Sequence, residues 1–467
     1  MRRFRQVTLT ISCIWLLSMT GFGQGLRNTT MDGYKGIWFE LNQKYAYGDK
    51  YSGGLGTYTA KHRPMALYAV EVNKTFFVYG GTRSASEKHL LCMIGSFDHH
   101  TGMVSKPLVV YDKMGVDDPH DNPSISMDAQ GYLWVFVSGR GNLRPGIKLR
   151  SKDPYDISSF EIVSEEVFTY PQIWRGDSTF LHFFTKYTGV RELYFERSTN
   201  GISWSNDLKL AGIKGENDSL SGHYQLSSIF RGGEIAGTFF SRHINGNVDT
   251  RTNLYYLETR DLGHNWQTVS GQNINLPVVD PHSESLVTNY QSQGKNVYLK
   301  DMAYDRDGTP VCLFLTSGGH EPGPENRPYT WYVCYFRNAE WHTRPVCESD
   351  HNYDMGSLYI RNSNWLIVAP TEDPPQTHGV GGEVAIWESL DRGKSWKKQV
   401  QLTHSSPLNH AYIRRPLNYK APFCYFWATG DPHKFSRSAL YFGDFNGQVW
   451  KLPYHMEKEF EKPLLQE

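Results

Sequence analysis

Apolar runs in this chain are short and recur at intervals. Thr75–Tyr79, Leu133–Val137, Phe180–Phe184, Leu193–Phe195 and Leu254–Leu257 occupy the first part. Val311–Leu315, Trp331–Phe336, Trp365–Val368, Val384–Trp387 and Ala439–Phe442 follow. Clusters of Gly, Asn, Asp and Ser separate them. No long segment places apolar residues at i, i+3, i+4 and i+7, so the pattern predicts strands and turns rather than helices.

The turns repeat as well. Thr259 to Trp266 and Ser389 to Trp396 share the order Ser/Thr-x-Asp-x-Gly-x-x-Trp, and Ser198 to Trp204 is a shortened copy. Asp128 to Trp134 and Asp305 to Gly308 are looser echoes. Such a turn needs a carboxylate to cap backbone N–H groups and a Gly at positive φ, with Trp packed beneath. The pattern resembles the Asp-box of sialidase-type propellers. Ser198 and Thr259 stand 61 positions apart, and Thr259 and Ser389 130, close to two such steps. A repeat of roughly 65 residues predicts an all-β, seven-bladed β-propeller. No low-complexity linker divides residues 25–467, which are read as one domain.

Composition narrows the partners. Lys+Arg and Asp+Glu are both 48, so the chain lacks the basic excess that a nucleic-acid binder uses against phosphates. Arg2, Arg3 and Arg5 precede the apolar run Val7 to Leu17, and Gly21, Gly23 and Gly25 follow. This is the layout of a signal peptide over residues 1–24, which implies a secreted or periplasmic protein. No later stretch reaches the ~20 apolar residues of a membrane span. Five cysteines follow the leader, an odd and sparse set for a disulfide framework. Cys312, Cys334, His342 and Cys347 lie near one another in sequence and are candidate ligands of a structural metal ion, although their spacing matches no standard zinc pattern.

Candidate chemistry concentrates in a few polar stretches. His120 lies in Asp117-Asp-Pro-His-Asp-Asn-Pro-Ser124, and imidazole titrates near neutral pH. Arg140 and Arg144 share a Gly-rich loop, where guanidinium forks suit a carboxylate or sulfate. Lys186, Tyr187, His223, Tyr224 and Arg242 stand at the ends of strand-like runs. No convincing pair of carboxylates for standard glycoside hydrolysis presents itself.

GIWFELNQ, YGDKYSGGLGTYTAKHRPM, FFVYGGT, DDPHDNPSI, GYLWVFVSGR, FTKYTGVRELYF, GHYQ and NVDTRTNLYY span roughly the first 260 residues. They resemble the BNR-repeat family that contains ulvan lyases and seven-bladed α-L-rhamnosidases acting on rhamnose–glucuronate linkages. The lyase branch implies His120 and Tyr224 as base and acid and Arg242 as the neutraliser of a uronate. A second His of that branch is replaced here, with Arg140 near its place. The rhamnosidase branch implies a centre on the opposite face that rests on one His of the N-terminal loop. Gln43 stands at that place, with His62 close by. The VSGR stretch reads closer to this second branch. The leading expectation is therefore a glycoside hydrolase of rhamnose–glucuronate linkages. A uronate polysaccharide lyase and a non-catalytic glycan-binding propeller are the alternatives. Arg140, Arg144, Lys186, Tyr187 and His223 are the expected substrate contacts. The expected partner is an acidic plant or algal polysaccharide, with no required cofactor and a monomeric chain.

Overall fold

The computed structural model describes residues 25–466. The leader over residues 1–24 lies outside the described residues. Within them the chain is all β, with only single-turn 3-10 segments between strands. None of the described helices is long and apolar enough to cross a membrane.

Seven sheets of four or more strands follow one another along the chain. Their first strands are Ala66–Ala69, Pro123–Met127, Thr169–Arg175, His223–Phe230, Asn296–Tyr304, Ser357–Arg361 and Asn409–Arg414. All strand pairs within these sheets are antiparallel, and most join neighbours in sequence, as short connections favour. The steps between first strands are uneven and mostly shorter than the sequence repeat suggests. The end of the chain returns to its beginning. Leu417 donates its N–H to Ala66 O at 2.8 Å, and its carbonyl accepts from Tyr68 N at 2.9 Å. Phe460–Glu461 pairs with Met103–Ser105, and Leu26–Thr30 pairs with Leu108–Tyr111.

The core lies between sheets. Trp134, Trp331, Trp365 and Trp427 are completely buried there. The turn motif works as its chemistry requires. The Asp261 carboxylate accepts from His264 N at 3.0 Å and Asn265 N at 2.8 Å. Gly263 sits at φ +89, and Trp266 packs on Phe195 of the preceding sheet with ring centroids 5.0 Å apart. Asp391 repeats the arrangement with Lys394 N and Ser395 N, both at 3.0 Å.

The candidate metal ligands do not converge. Cys312 and Cys334 face each other across adjacent core strands, both fully buried, and their thiols are pushed up by burial. His342 Nε2 is 3.0 Å from the Arg337 carbonyl, and Cys347 is further along that hairpin. Among the described residues no group of three or more His, Cys, Asp or Glu side chains is placed to hold a metal ion.

Candidate active site

The starts of the first strands carry an unusual set of tyrosines and cations. Tyr224 is the second residue of the strand His223–Phe230 and pairs across the sheet with Ser241. Side chains alternate along a strand, so Tyr224 shares its face with His243, whose ring centroid is 4.9 Å away. Tyr170 adopts a left-handed φ of +57 where the register of Thr169–Arg175 shifts. This turn brings its ring 5.7 Å from both Tyr224 and His120.

His120 is held by its own turn. Pro119–Asp121 forms a single 3-10 turn capped by Asp118, whose Oδ1 accepts from His120 N at 3.0 Å and from His120 Nδ1 at 2.5 Å. Nδ1 therefore carries the proton, and Nε2 presents a lone pair toward the Tyr58 hydroxyl at 3.4 Å. Burial lowers the pKa of His120 despite the opposing pull of Asp118, so the ring is neutral near pH 7. Arg144 reaches Asp118 at 2.6 Å and Asp121 at 2.9 Å, while Arg140 reaches Asp118 at 3.3 Å. Burial alone would raise the Asp118 carboxyl, but His120 and Arg140 hold it well below the ordinary range.

Tyr224 itself sits among cations. Lys61 Nζ is 4.6 Å from its ring, Arg251 Cζ 5.0 Å and Arg191 Cζ 5.9 Å. The Arg191 carbonyl accepts from His223 N at 2.8 Å, which fixes Arg191 beside the strand start. The groups packed against the Arg191 and Arg251 guanidinium groups are tyrosine rings: Tyr187 and Tyr224 for Arg191, and Tyr224, Tyr298 and Tyr353 for Arg251. Arg191 Nε is buried without a hydrogen-bond partner. Burial depresses Lys61, and its charged neighbours are other cations. Burial should raise the phenol of Tyr224, yet Arg191, Arg251, a hydrogen bond from Tyr170 and Arg140 outweigh it and lower the pKa. A buried cationic cluster short of carboxylates is prepared for an anion from outside.

The sequence-selected residues divide into two groups. His120, Arg140, Arg144, Tyr187 and Tyr224 come together, with Tyr187 placed 5.6 Å from both Arg140 and Arg191. Arg242 does not join them. It pairs with His223 across the sheet, so it projects from the opposite face, and its guanidinium is held by Asp218 at 2.7 Å. His223 is a buried structural group, with Nε2 accepting from Ile213 N at 3.0 Å and Nδ1 donating to Ser241 O at 3.0 Å. Lys186 is paired with Asp207. His62 is fully buried and bridges backbone, with Nε2 donating to the His120 carbonyl at 3.1 Å. Gln43 is exposed, on a hairpin whose Tyr45 hydroxyl lies 3.3 Å from His320. That hairpin leads into Lys50, which pairs with Asp249, and Tyr51, which lines the same small pocket as Lys61, Tyr170 and Tyr224. The roles of Asp118, Tyr58, Lys61, Tyr170, Arg191, His243 and Arg251 were not assigned from sequence.

A profile of BNR repeat-containing family members matches residues 96–349. The chain belongs to this BNR-repeat family. An ulvan lyase of Nonlabens ulvanivorans is 21% identical over 350 residues, spanning 65% of this chain and 71% of that protein. An ulvan lyase of Alteromonas sp. (strain LOR) is 22% identical over 254 residues, 46% of this chain and about half, 51%, of its own length. A solved polysaccharide lyase, PL25-Ulvanlyase bound to -[GlcA(1-4)Rha3S]-, superposes with a TM-score of 0.69 at 15% identity, covering 83% of this chain and 93% of that one. This likeness extends the fold of the BNR-repeat protein beyond the matched segment. The expectation of a rhamnosidase-type glycoside hydrolase is corrected here. The BNR-repeat relatives carry lyase names, and the site offers His, Tyr and Arg in place of a carboxylate pair.

Proposed function

We propose that this protein is a polysaccharide lyase of the ulvan-lyase type, cleaving a uronate-containing acidic polysaccharide by β-elimination. The observation that carries the reading is the pair of arginines against the Tyr224 ring, Arg191 and Arg251, which form no ion pair with a carboxylate among the described residues. A uronate carboxylate supplies the missing charge, and its neutralisation acidifies the proton at C5. His120 Nε2 takes that proton, because Asp118 keeps Nδ1 protonated and the ring oriented. The C5 electrons form the C4–C5 double bond and the C4–O4 bond breaks. The Tyr224 hydroxyl gives its proton to the departing O4, a step helped by its lowered pKa. The elimination needs no cofactor, since the arginines provide the charge a metal would otherwise supply. The relatives' names and the preference of the site for anions support an acidic glycan as partner.

The seven sheets are read here as a closed seven-bladed propeller, one domain over residues 25–467. The Leu417 bonds to Ala66 and Tyr68 and the return of Phe460–Glu461 to the first sheet support closure. An exported, monomeric enzyme is the working reading for a polymeric substrate. Incubation with ulvan is the test. New ultraviolet absorbance from a 4,5-unsaturated uronate, absent in Tyr224→Phe and His120→Ala, is expected. Binding without new absorbance would overturn the catalytic reading.

A further inference from the structure

The far ends of the same first strands enclose a second cavity, of about 190 Å³. Tyr170 and Tyr224 stand at the starts of their strands, whereas Trp174 and Phe230, near the other ends, line this cavity. At about 3.3 Å per residue, Phe230 lies roughly 20 Å along its strand from Tyr224, while Arg63, two residues from Lys61, marks the inner edge of the cavity. Lysines and arginines again outnumber acids. Arg63, Arg414, Arg415 and Lys300 line the cavity, with Asp301 as the single carboxylate.

Asp301 is already committed. Its Oδ1 meets Arg63 Nη2 at 2.5 Å and Met302 N at 2.6 Å. Its Oδ2 accepts from Leu358 N at 2.7 Å and faces Arg415 Nε at 3.4 Å. The remaining nitrogen of Arg63, Nη1, is buried with no partner, although the residue is only 7% exposed. An unpartnered guanidinium N–H in such a place is unfavourable unless a ligand or water fills the position. Arg415, one-fifth exposed at its side chain, connects the cluster to solvent. Trp174, Tyr359 and Tyr419 supply aromatic wall. The volume lies below the ~300 Å³ at which drug-sized sites begin.

We propose that this end of the propeller holds a second binding site, which takes one organic anion of single-sugar size, with its carboxylate on Arg63 and Arg415 and its body against the aromatic wall. The cavity adjoins the Tyr224 cluster through the segment that carries Lys61 and Arg63, yet the proposal does not depend on the lyase reading.

Calorimetry with D-glucuronate as probe tests it. The variant Arg191→Ala, which weakens the Tyr224 cluster, is expected to keep saturable binding. Arg415→Ala is expected to weaken that binding by about tenfold or more, as loss of one charge-assisted pair does. Neutral L-rhamnose should not bind there, and elimination activity on ulvan should be unchanged in Arg415→Ala. If Arg415→Ala melts early, Tyr419→Ala replaces it, with the same expected loss. Three results would overturn the proposal: no saturable binding of glucuronate; binding lost in Arg191→Ala but kept in Arg415→Ala; or binding of inorganic sulfate without glucuronate, meaning an adventitious ion only.

Discussion

Tyr224 and Arg242 occupy neighbouring strands, yet the pleat sends them to opposite faces. His223 pairs with Arg242 and Tyr224 with Ser241, so alternation alone assigns His243, not Arg242, to the face of Tyr224. Arg242→Ala is therefore expected to cost stability through the unpaired Asp218 and to leave uronate recognition nearly intact. Arg191→Ala is expected to weaken binding of a glucuronate-containing oligosaccharide by about 2 kcal/mol, with little change for the carboxyl-reduced sugar. Equal losses for both sugars would show that Arg191 does not read the carboxylate. The pH profile tests the acid and base roles. His120 must be neutral, and burial lowers its pKa, so the acid limb extends below that of an ordinary histidine. Tyr224 must be protonated, and its pKa is also lowered, burial being outweighed first by Arg191, so the alkaline limb falls below that of an ordinary tyrosine. Arg191→Ala should move the alkaline limb upward in pH. An unmoved limb would remove Tyr224 from the acid role. His120, Arg140, Arg144 and Tyr187 were legible because each is a polar group at a strand end or in a loop. Asp118 and Arg251 were not, because their roles come from a cap and from a fold-level convergence that spacing does not encode.

At the scale of elements, apolar runs and turn chemistry were legible for different reasons. Every apolar run singled out in the sequence falls in a second or third strand of its sheet, or within a residue of one. Those strands are covered on both faces, so they read as continuous hydrophobic stretches. The first strands were missed. Thr169–Arg175 and His223–Phe230 mix Tyr, Gln, His and Ser with apolar residues because their polar side chains bond across to one another, as Gln172 does to Gln225 and Ser227. The strands that carry the site are thus the ones a hydrophobic pattern hides. The Asp-box turns were read correctly because their chemistry is local. Gly263 sits at φ +89, and a Cβ there would meet Phe195 at 2.9 Å. Gly263→Ala should destabilise the fold by about 1–3 kcal/mol in denaturant melts. Arg251 and Thr259 begin and end one strand, placing this turn about 26 Å from the Tyr224 cluster. Elimination activity per folded molecule should therefore be unchanged. A selective loss of activity would mean that the turn communicates with the site.

At the scale of the whole molecule, buried imidazoles hold backbone and side-chain donors in several parts of the chain and set its response to acid. His62, His223, His351 and His410 belong to four different parts of the chain and are all buried. In each, one ring nitrogen accepts a hydrogen bond: from Thr59 N at 3.2 Å, Ile213 N at 3.0 Å, Tyr353 N at 3.0 Å and Trp427 Nε1 at 2.7 Å. Protonation of that nitrogen breaks the bond and places a charge in the core. Burial accordingly lowers their pKa values, to about 3 for His62 and His351 and to about 4 for His223 and His410. In the unfolded chain each returns to about 6.5, so below that pH the unfolded state binds more protons and stability falls. At pH 5 each histidine withdraws up to about 2 kcal/mol by this linkage. The loss continues until the pH reaches the folded values. Buried Asp354 works in the opposite sense, because burial and Asp350 raise its carboxyl, and Asp350, Asp49, Asp121 and Glu258, also raised by burial, offset a further part of the loss. The melting temperature is therefore expected to drop steeply between pH 7 and 5, and His410→Gln, which keeps an acceptor without a titrating nitrogen, should flatten the drop. A melting temperature constant across that interval would mean that these rings are not held neutral by the fold.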